Sequence, residues 1–388
     1  MLPSAPLQPL RIALFAPYDL VRAGGVNTHI RAQARALRQL GHTVRIFGPA
    51  SAPLDAGETA LSRSVAVMFS GTESGLGLDP RSRSRVATLF RTEPFDIVHV
   101  HEPLVPLLPW FALGYARSRI VATFHVHREH GHRWYRAARP WLQSLIERVD
   151  VRIAVSEAAR RTVAAHFPGD YAIVPNAIDV ETFRVPRARP ALMASMSSTG
   201  STGAMDDGRA AHVLYVGRLE PRKGVPHLIR AMADVQRDLP QARLIVVGDG
   251  PDREALVALA RTVGAQVTFA GRVDDDELPA YFQASDVVCS PAMGGESFGI
   301  VLLEAMACGK PIVASGIEAY DTLVGDANCG TLVPPGDASA LAAALRSLLG
   351  DENLRRTFGA RGLEAARACD WAVIARRLDA IYQRLLPE

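Results

Sequence analysis

Short apolar runs alternate with longer stretches of helical period along almost the whole chain. RIALFAP (11–17), TVRIFGP (43–49), FDIVHVH (95–101), RIVATFH (119–125) and VRIAVS (151–156) have the length and near-continuous hydrophobicity of buried parallel strands. Between the first two, NTHIRAQARALRQLG is amphipathic at helical spacing and ends at Gly41, which predicts a helix closed by a glycine C-cap. The alternation stops at 184–210, a stretch rich in Pro, Ser, Gly and Ala, and residues 186–210 read as a linker or insertion. It then restarts with HVLYVGR (212–218), ARLIVVGDG (242–250), VTFAGRV (267–273), DVVCSPA (286–292), PIVASG (311–316) and GTLVPPGD (330–337). The pattern predicts an α/β chain of two doubly wound, Rossmann-like domains, 1–185 and 211–369. Each would present loops at the carboxyl ends of its strands, and two such domains facing one another make a cleft.

Composition narrows the classes. The 388 residues are 48% hydrophobic and 21% charged, enough apolar material for a core in each domain. A net charge of +3 is too small to indicate nucleic acid as a partner. Cys289, Cys308, Cys329 and Cys369 show no C-x-x-C spacing and have apolar or small neighbours, so they read as reduced packing residues of a cytoplasmic protein. The N-terminus lacks the charge and apolar pattern of a secretory signal. No stretch approaches the roughly 20 apolar residues of a membrane span. The expectation is a soluble protein or one bound to a membrane surface.

Candidate chemistry lies in the loops. YDLVRAGGVNTH (18–29) follows the first strand and opens the first helix, where backbone N–H groups could meet a phosphate, but it lacks G-x-G-x-x-G. GRLEPRKG (217–224) sets Arg218 at a strand end and Lys223 before a helix. Positive charge is disfavoured there by the helix dipole, which favours an anion-binding reading. GGESFGIVLLEAMACG (294–309) holds two acids, Glu296 and Glu304, in an otherwise apolar run. An unpaired buried carboxylate is costly, so a ligand for them is expected. With a helix starting near Ser297 or Phe298, the two would lie roughly 12 Å apart, about the span from a sugar across a pyrophosphate to a ribose. His125, His127, His130 and His132 form a histidine run without a carboxylate or cysteine to complete a metal set, and His125, at a strand end, is best placed to meet a ligand. VDDDEL (273–278) reads as an N-cap and acidic first turn.

Together, GGVNTH, HVHEP, IVATFH, PNAIDV, GRLEPRKG and GGESFGIVLLEAMACG resemble the retaining GT-B glycosyltransferases of family 4, within it the bacterial phosphatidylinositol mannosyltransferases. The resemblance extends over nearly the whole chain. It implies that Arg218 and Lys223 bind the donor diphosphate with Gly25 close by, and that Glu296 contacts the transferred sugar beside Ser297, Phe298, Gly299 and Ile300. It further implies Glu304 at the ribose, Asp275 at guanine, His125 near the reacting centre, and Tyr18 and Asn27 in the acceptor pocket. The C-terminal helix (370–388) would cross back to the first domain. Leu104 and Val126 on the acceptor side, and Leu278 beside Asp275, depart from the pattern. The implied donor is a nucleotide sugar, GDP-mannose, with no metal or other cofactor required; the acceptor is a lipid or polyol. A UDP-sugar enzyme with a soluble or polysaccharide acceptor, and a non-catalytic nucleotide-sugar-binding subunit, remain the alternatives.

One further segment bears on location. DPRSRSRVATLFRTEPFD (79–96) carries Arg81, Arg83, Arg85 and Arg91, and as a helix would set Val86, Leu89 and Phe90 on one face. A basic amphipathic helix suits the anionic inner face of the plasma membrane.

Overall fold

The computed structural model describes residues 8–22, 24–69, 72–127, 133–194 and 210–386. The chain forms two compact units, Met1–Ala177 with Trp371–Glu388, and Ile178–Asp370. The strands of the first are β1 (Arg11–Phe15), β2 (Thr43–Ala50), β3 (Glu58–Arg63), β4 (Val65–Phe69), β5 (Thr72–Leu76), β6 (Ile97–His101), β7 (Arg119–Phe124), β8 (Val151–Ala154) and β9 (Ala172–Ile173). Seven of them build a parallel sheet in the order β3-β2-β1-β6-β7-β8-β9, and β4 and β5 form a separate antiparallel pair. In the second unit β10 (His212–Val216), β11 (Arg243–Val247), β12 (Val267–Gly271), β13 (Val287–Ser290), β14 (Ile312–Ser315) and β15 (Gly330–Val333) pair in the order β12-β11-β10-β13-β14-β15.

The near-continuous hydrophobicity of these strands follows from burial on both faces. In β1, Ala13 and Phe15 enter one core while Ile12 and Leu14 enter the core on the opposite face. In β11, Leu244 and Val246 divide from Ile245 and Val247 in the same way. A side-chain period of two thus feeds two cores from one strand. The helix Gly25–Gln39 lays Ile30, Ala34 and Leu37 on the first sheet, beside Ile374, Ala375, Leu378 and Tyr382 of the terminal helix Trp371–Gln383. Gly41, at φ 94°, stands just past the end of the first of these helices, as its sequence position suggested.

The boundary between units falls at 177/178, not at 185. Ile178, Val180 and Met193 are buried in the second unit's core, which draws residues 178–194 into that unit and shortens the expected linker. The rest of that segment, 195–209, lies outside the described residues.

Both strand orders reverse direction beside the first strand of their unit, between β1 and β6 and between β10 and β13. Loops at the carboxyl ends of the strands flanking such a switch point diverge and leave room for a ligand. In the second unit they also touch. Gly224 has φ 67°, and a Cβ there would lie 1.9 Å from the Pro291 carbonyl oxygen. Only glycine allows this approach, and the Met293 N–H donates to the Arg222 carbonyl at 2.8 Å alongside it. Gly224→Ala is therefore expected to unfold well below wild type in a thermal melt. Gly264→Ala, equally left-handed at φ 70° but with nothing within 4 Å, should lose only the roughly 1–2 kcal/mol of conformational strain. Equal melting points for the two variants would rule out the loop contact.

Candidate functional site

The loop after β10 carries Arg218, Glu220, Arg222 and Lys223, and the loop after β13 carries Glu296. Glu296 Oε1 accepts from Arg222 Nη1 at 2.6 Å and lies 2.8 Å from Lys223 Nζ. Glu220 pairs with Arg222 at 2.6 Å and approaches Arg218 at 3.6 Å. Three cations and two carboxylates thus share one patch, leaving one net positive charge at the head of a helix (Val225–Asp238). Arg222 and Glu220 were not singled out in the sequence, although both lie inside GRLEPRKG. Their signal was the excess of charge in an eight-residue loop.

The helix after β13 begins at Ile300, not near Ser297 or Phe298. Gly294, Gly295 and Gly299 have φ of 149°, 70° and 96°, a run of glycine-type conformations incompatible with helix. Ser297 and Phe298 therefore belong to the loop, and the helical estimate of roughly 12 Å between the two glutamates does not apply. Gly299 is also confined by packing, since a Cβ would meet the Tyr320 ring at 2.8 Å. The first bonds of this helix run from the Leu302 and Leu303 N–H groups to the Gly299 carbonyl, at 2.9 and 3.2 Å. Glu304 lies on the first turns of this helix. Its Oε2 is buried with no hydrogen-bond partner among the described residues, and burial, helped by the charge of Asp275, pushes its carboxyl up to about 8. Asp275 itself is exposed in the turn after β12. The expected acidic cap is not made, for the helix Leu278–Ala284 has no side-chain cap at Glu277.

In the first unit, His29, His99, His101 and His125 gather on one side of the sheet. His99 and His101 occupy alternate positions of β6, so both point to the face covered by the terminal helix. His101 Nδ1 and His125 Nε2 share a hydrogen bond of 2.9 Å, and His99 stacks on His101 at 4.5 Å. His29 stands edge-on to His125 at 4.9 Å and to Trp371 at 5.0 Å. Tyr382 hydroxyl meets His99 Nδ1 at 2.6 Å, and Thr123 Oγ1 meets its Nε2 at 2.7 Å. Glu102, left-handed at φ 45°, accepts the backbone N–H groups of His125 and Val126, while burial pushes its carboxyl up to about 7. Burial lowers all four imidazoles, His29 to about 4 and His99 to about 3, so they are neutral at physiological pH. Of the two described members of the histidine run, His125 joins this group. His127 bonds Ala158 and Thr162 instead, and His130 and His132 lie outside the described residues.

Asn27 donates both amide hydrogens to the carbonyls of Asp19 and Arg22, at 2.7 and 3.1 Å, fixing the loop after β1. Its Oδ1 is buried without a hydrogen-bond partner among the described residues. Tyr18 is half-buried and bridges to Leu76, and Gly25 is the exposed first residue of its helix.

The helix Ser82–Thr92 departs from expectation on its apolar side. Val86 and Leu89 are buried in the first unit's core, and Phe90 packs at 5.8 Å from Phe15, so the face meant for lipid is already covered. Arg81, Arg83, Arg85 and Arg91 are exposed. Arg83 reaches the Tyr115 hydroxyl at 2.6 Å and Arg85 lies 3.6 Å from Asp79. No helix among the described residues is long and apolar enough to cross a membrane.

Two family patterns match in tandem. Residues 23–182 match Glycosyltransferase Family 4, and residues 206–365 match Glycosyl transferases group 1. The phosphatidyl-myo-inositol mannosyltransferase of Mycobacterium leprae (strain TN) is 36% identical over 96% of this chain and 96% of its own. That of Mycolicibacterium smegmatis is 34% identical over 96% and 94%. The chain belongs to glycosyltransferase family 4. It is a hexosyltransferase of GT-B fold. The fold recurs in Anabaena Alr3699/HepE, solved in complex with UDP, which is 20% identical with a TM-score of 0.76 over 97% of this chain and 100% of that one.

The buried groups of this glycosyltransferase predict its pH dependence of stability. Depressed imidazoles mean that below pH 6.5 the unfolded chain binds more protons at His29, His99, His101 and His125, so stability rises with pH. Glu102 and Glu304 act oppositely, because the folded chain retains protons that the unfolded chain releases above about 4.5. Four histidines outweigh two carboxyls up to 6.5, and above it only the carboxyls act. The thermal midpoint should peak near 6.5 and fall toward 8, with Glu304→Gln flattening the fall above 7. A wild-type midpoint still climbing at pH 8 would mean that Glu304 is ionised in the folded chain.

Proposed function

We propose that the chain transfers mannose from GDP-mannose, with retained configuration, to a lipid-linked polyol of the phosphatidylinositol class at the inner membrane face. The observation that carries this reading is the paired loops of the second unit, where Arg222 and Lys223 meet Glu296 and the unpartnered Glu304 follows on the adjoining helix. The mannosyl donor and inositol lipid rest on likeness to the mycobacterial relatives.

In this mechanism Arg218 and Lys223 bind the diphosphate and stabilise the charge that grows as the sugar–phosphate bond breaks, with Gly25 near the phosphates. Glu296 meets the transferred sugar along with the backbone of Ser297, Phe298, Gly299 and Ile300. Glu304 accepts hydrogen bonds from the ribose hydroxyls, which supply the donors its buried Oε2 lacks. Asp275 serves the base. His125, held by Glu102 through its own backbone N–H, lines the reacting centre, with Tyr18 and Asn27 toward the acceptor. The departing diphosphate takes the proton of the acceptor hydroxyl on the face it leaves, so configuration is retained and no metal or other cofactor is needed for the step.

The direct test is transfer from labelled GDP-mannose and UDP-sugars to phosphatidylinositol vesicles and to free inositol phosphate. Transfer from a UDP-sugar alone, or to the soluble acceptor alone, would overturn the reading. Glu304→Ala should weaken GDP binding about tenfold, near the upper worth of a single hydrogen bond. Glu296→Ala should lower kcat while GDP affinity is unchanged or tighter, because Lys223 and Arg222 lose a competing anion. An equal loss of GDP affinity in both variants would reject the assignment of sugar and ribose ends.

We infer that membrane contact is electrostatic, through Arg81, Arg83, Arg85 and Arg91, since the apolar face of their helix is spent on the core. Each arginine near an anionic surface contributes on the order of 1 kcal/mol within a Debye length. Co-sedimentation with anionic vesicles should vanish at high salt and in a variant with the four changed to serine. Uptake that survives high salt would show apolar insertion instead.

A further inference from the structure

The histidine group of the first unit has capacity beyond holding His125 in place. One ring nitrogen from each of His29, His101 and His125 lies within 4.8 Å of the others, and all three residues are buried. They come from three elements, the helix Gly25–Gln39, the end of β6 and the residue after β7, which meet beside the switch point between β1 and β6. His29 Nδ1 and His101 Nε2 are buried with no hydrogen-bond partner among the described residues. Two neighbouring buried imidazoles that each leave a nitrogen unmet are an unusual expense for packing alone, because each unmet acceptor or donor is costly.

We propose that His29, His101 and His125 form a binding site for a transition-metal cation of the Zn²⁺ class, whose occupancy withdraws the His125 ring from the transfer reaction. The donors are all imidazole nitrogens, which suits Zn²⁺, Co²⁺ or Ni²⁺ and not the oxygen-seeking Mg²⁺ or Ca²⁺. Neutral imidazole is the ligating form. Bonds of about 2.0–2.1 Å at tetrahedral angles need nitrogens about 3.3 Å apart. His101 Nδ1 and His125 Nε2, at 2.9 Å, are already near that spacing; the metal would replace the hydrogen bond between them, and a turn of the His29 ring would bring in its nitrogen. Three histidines leave a fourth position for water, an arrangement that zinc accepts.

The inhibitory half rests on the proposed role of His125, whereas binding does not, and the experiment separates them. Metal-depleted protein is titrated with Co²⁺ while its visible d–d absorption is recorded, then back-titrated with Zn²⁺. One Co²⁺ per chain with the intense tetrahedral spectrum is expected, displaced by Zn²⁺. His29→Phe keeps a ring against Trp371 and should bind at least tenfold more weakly with an unchanged circular-dichroism spectrum; His29→Gln serves if that variant does not fold. A variant with His130 and His132 changed to alanine should bind as wild type does. No tetrahedral spectrum in wild type, wild-type binding by the His29 variants, or loss confined to the His130/His132 variant would each overturn the site. Zn²⁺ at loading concentrations should abolish transfer, reversibly with a chelator. Loading without inhibition would uphold the site and overturn the placement of His125 at the reacting centre.

Discussion

The chemistry of the second unit depends on one close approach. Gly224 lets the loop after β10 lie against the Pro291 carbonyl, nearer than any side chain would permit. That contact, with the Met293–Arg222 backbone bond beside it, joins two loops that a doubly wound sheet otherwise sends apart. Lys223 and Arg222 then have no freedom to drift from Glu296, and Glu220 restrains Arg222 from the other side. Long cationic side chains lose considerable rotamer entropy when they bind an anion. Carboxylate partners that already order them would reduce that cost for the diphosphate proposed to bind here, at the expense of competing with it.

The first unit solves a different electrostatic problem. Four imidazoles crowded in a core could not all carry charge, and burial settles the matter by keeping them neutral. The terminal helix is part of the solution, since its Trp371 covers His29 and its Tyr382 binds His99. Glu102 contributes through the backbone: its left-handed conformation turns the carboxylate onto the N–H groups of His125 and Val126. A chain segment 250 residues distant in sequence from His125 therefore shapes the setting of that ring.

Every strand of both central sheets except β3 and β9 was legible in the sequence, because strands buried on both faces announce themselves as unbroken apolar runs. β3 lies at a sheet edge and β9 spans two residues, so neither carries that signature. The boundary at 177/178 was missed because Val180 and Met193 look no different in sequence from linker residues; what places them is the core they enter. Arg218, Lys223, Glu296 and Glu304 were legible as charges in settings that disfavour them. His29 and His101 were not, since a histidine on an amphipathic helix or at a strand end reads as ordinary, and only the fold brings them to His125. The face of Val86 and Leu89 misled for a related reason, as an apolar stripe cannot tell lipid from its own core.

Glu296 and Glu304 show how far one residue type can diverge over seven intervening positions. Glu296 stands in a glycine-bent loop, where the backbone can turn its carboxylate toward the cations of the neighbouring loop. Glu304 is fixed on a helix whose neighbours Leu302, Leu303, Ala305 and Met306 are buried, so its carboxyl is carried partly into the core with no cation to receive it. The first is paired with Arg222 and Lys223; the second, with its carboxyl pushed up to about 8, keeps an oxygen unbonded among the described residues. In the proposed complex a ribose hydroxyl would donate to that oxygen without bringing a charge of its own into the core. The helix that makes Glu304 costly in the free protein is thus the feature that would make it selective once a nucleoside is bound.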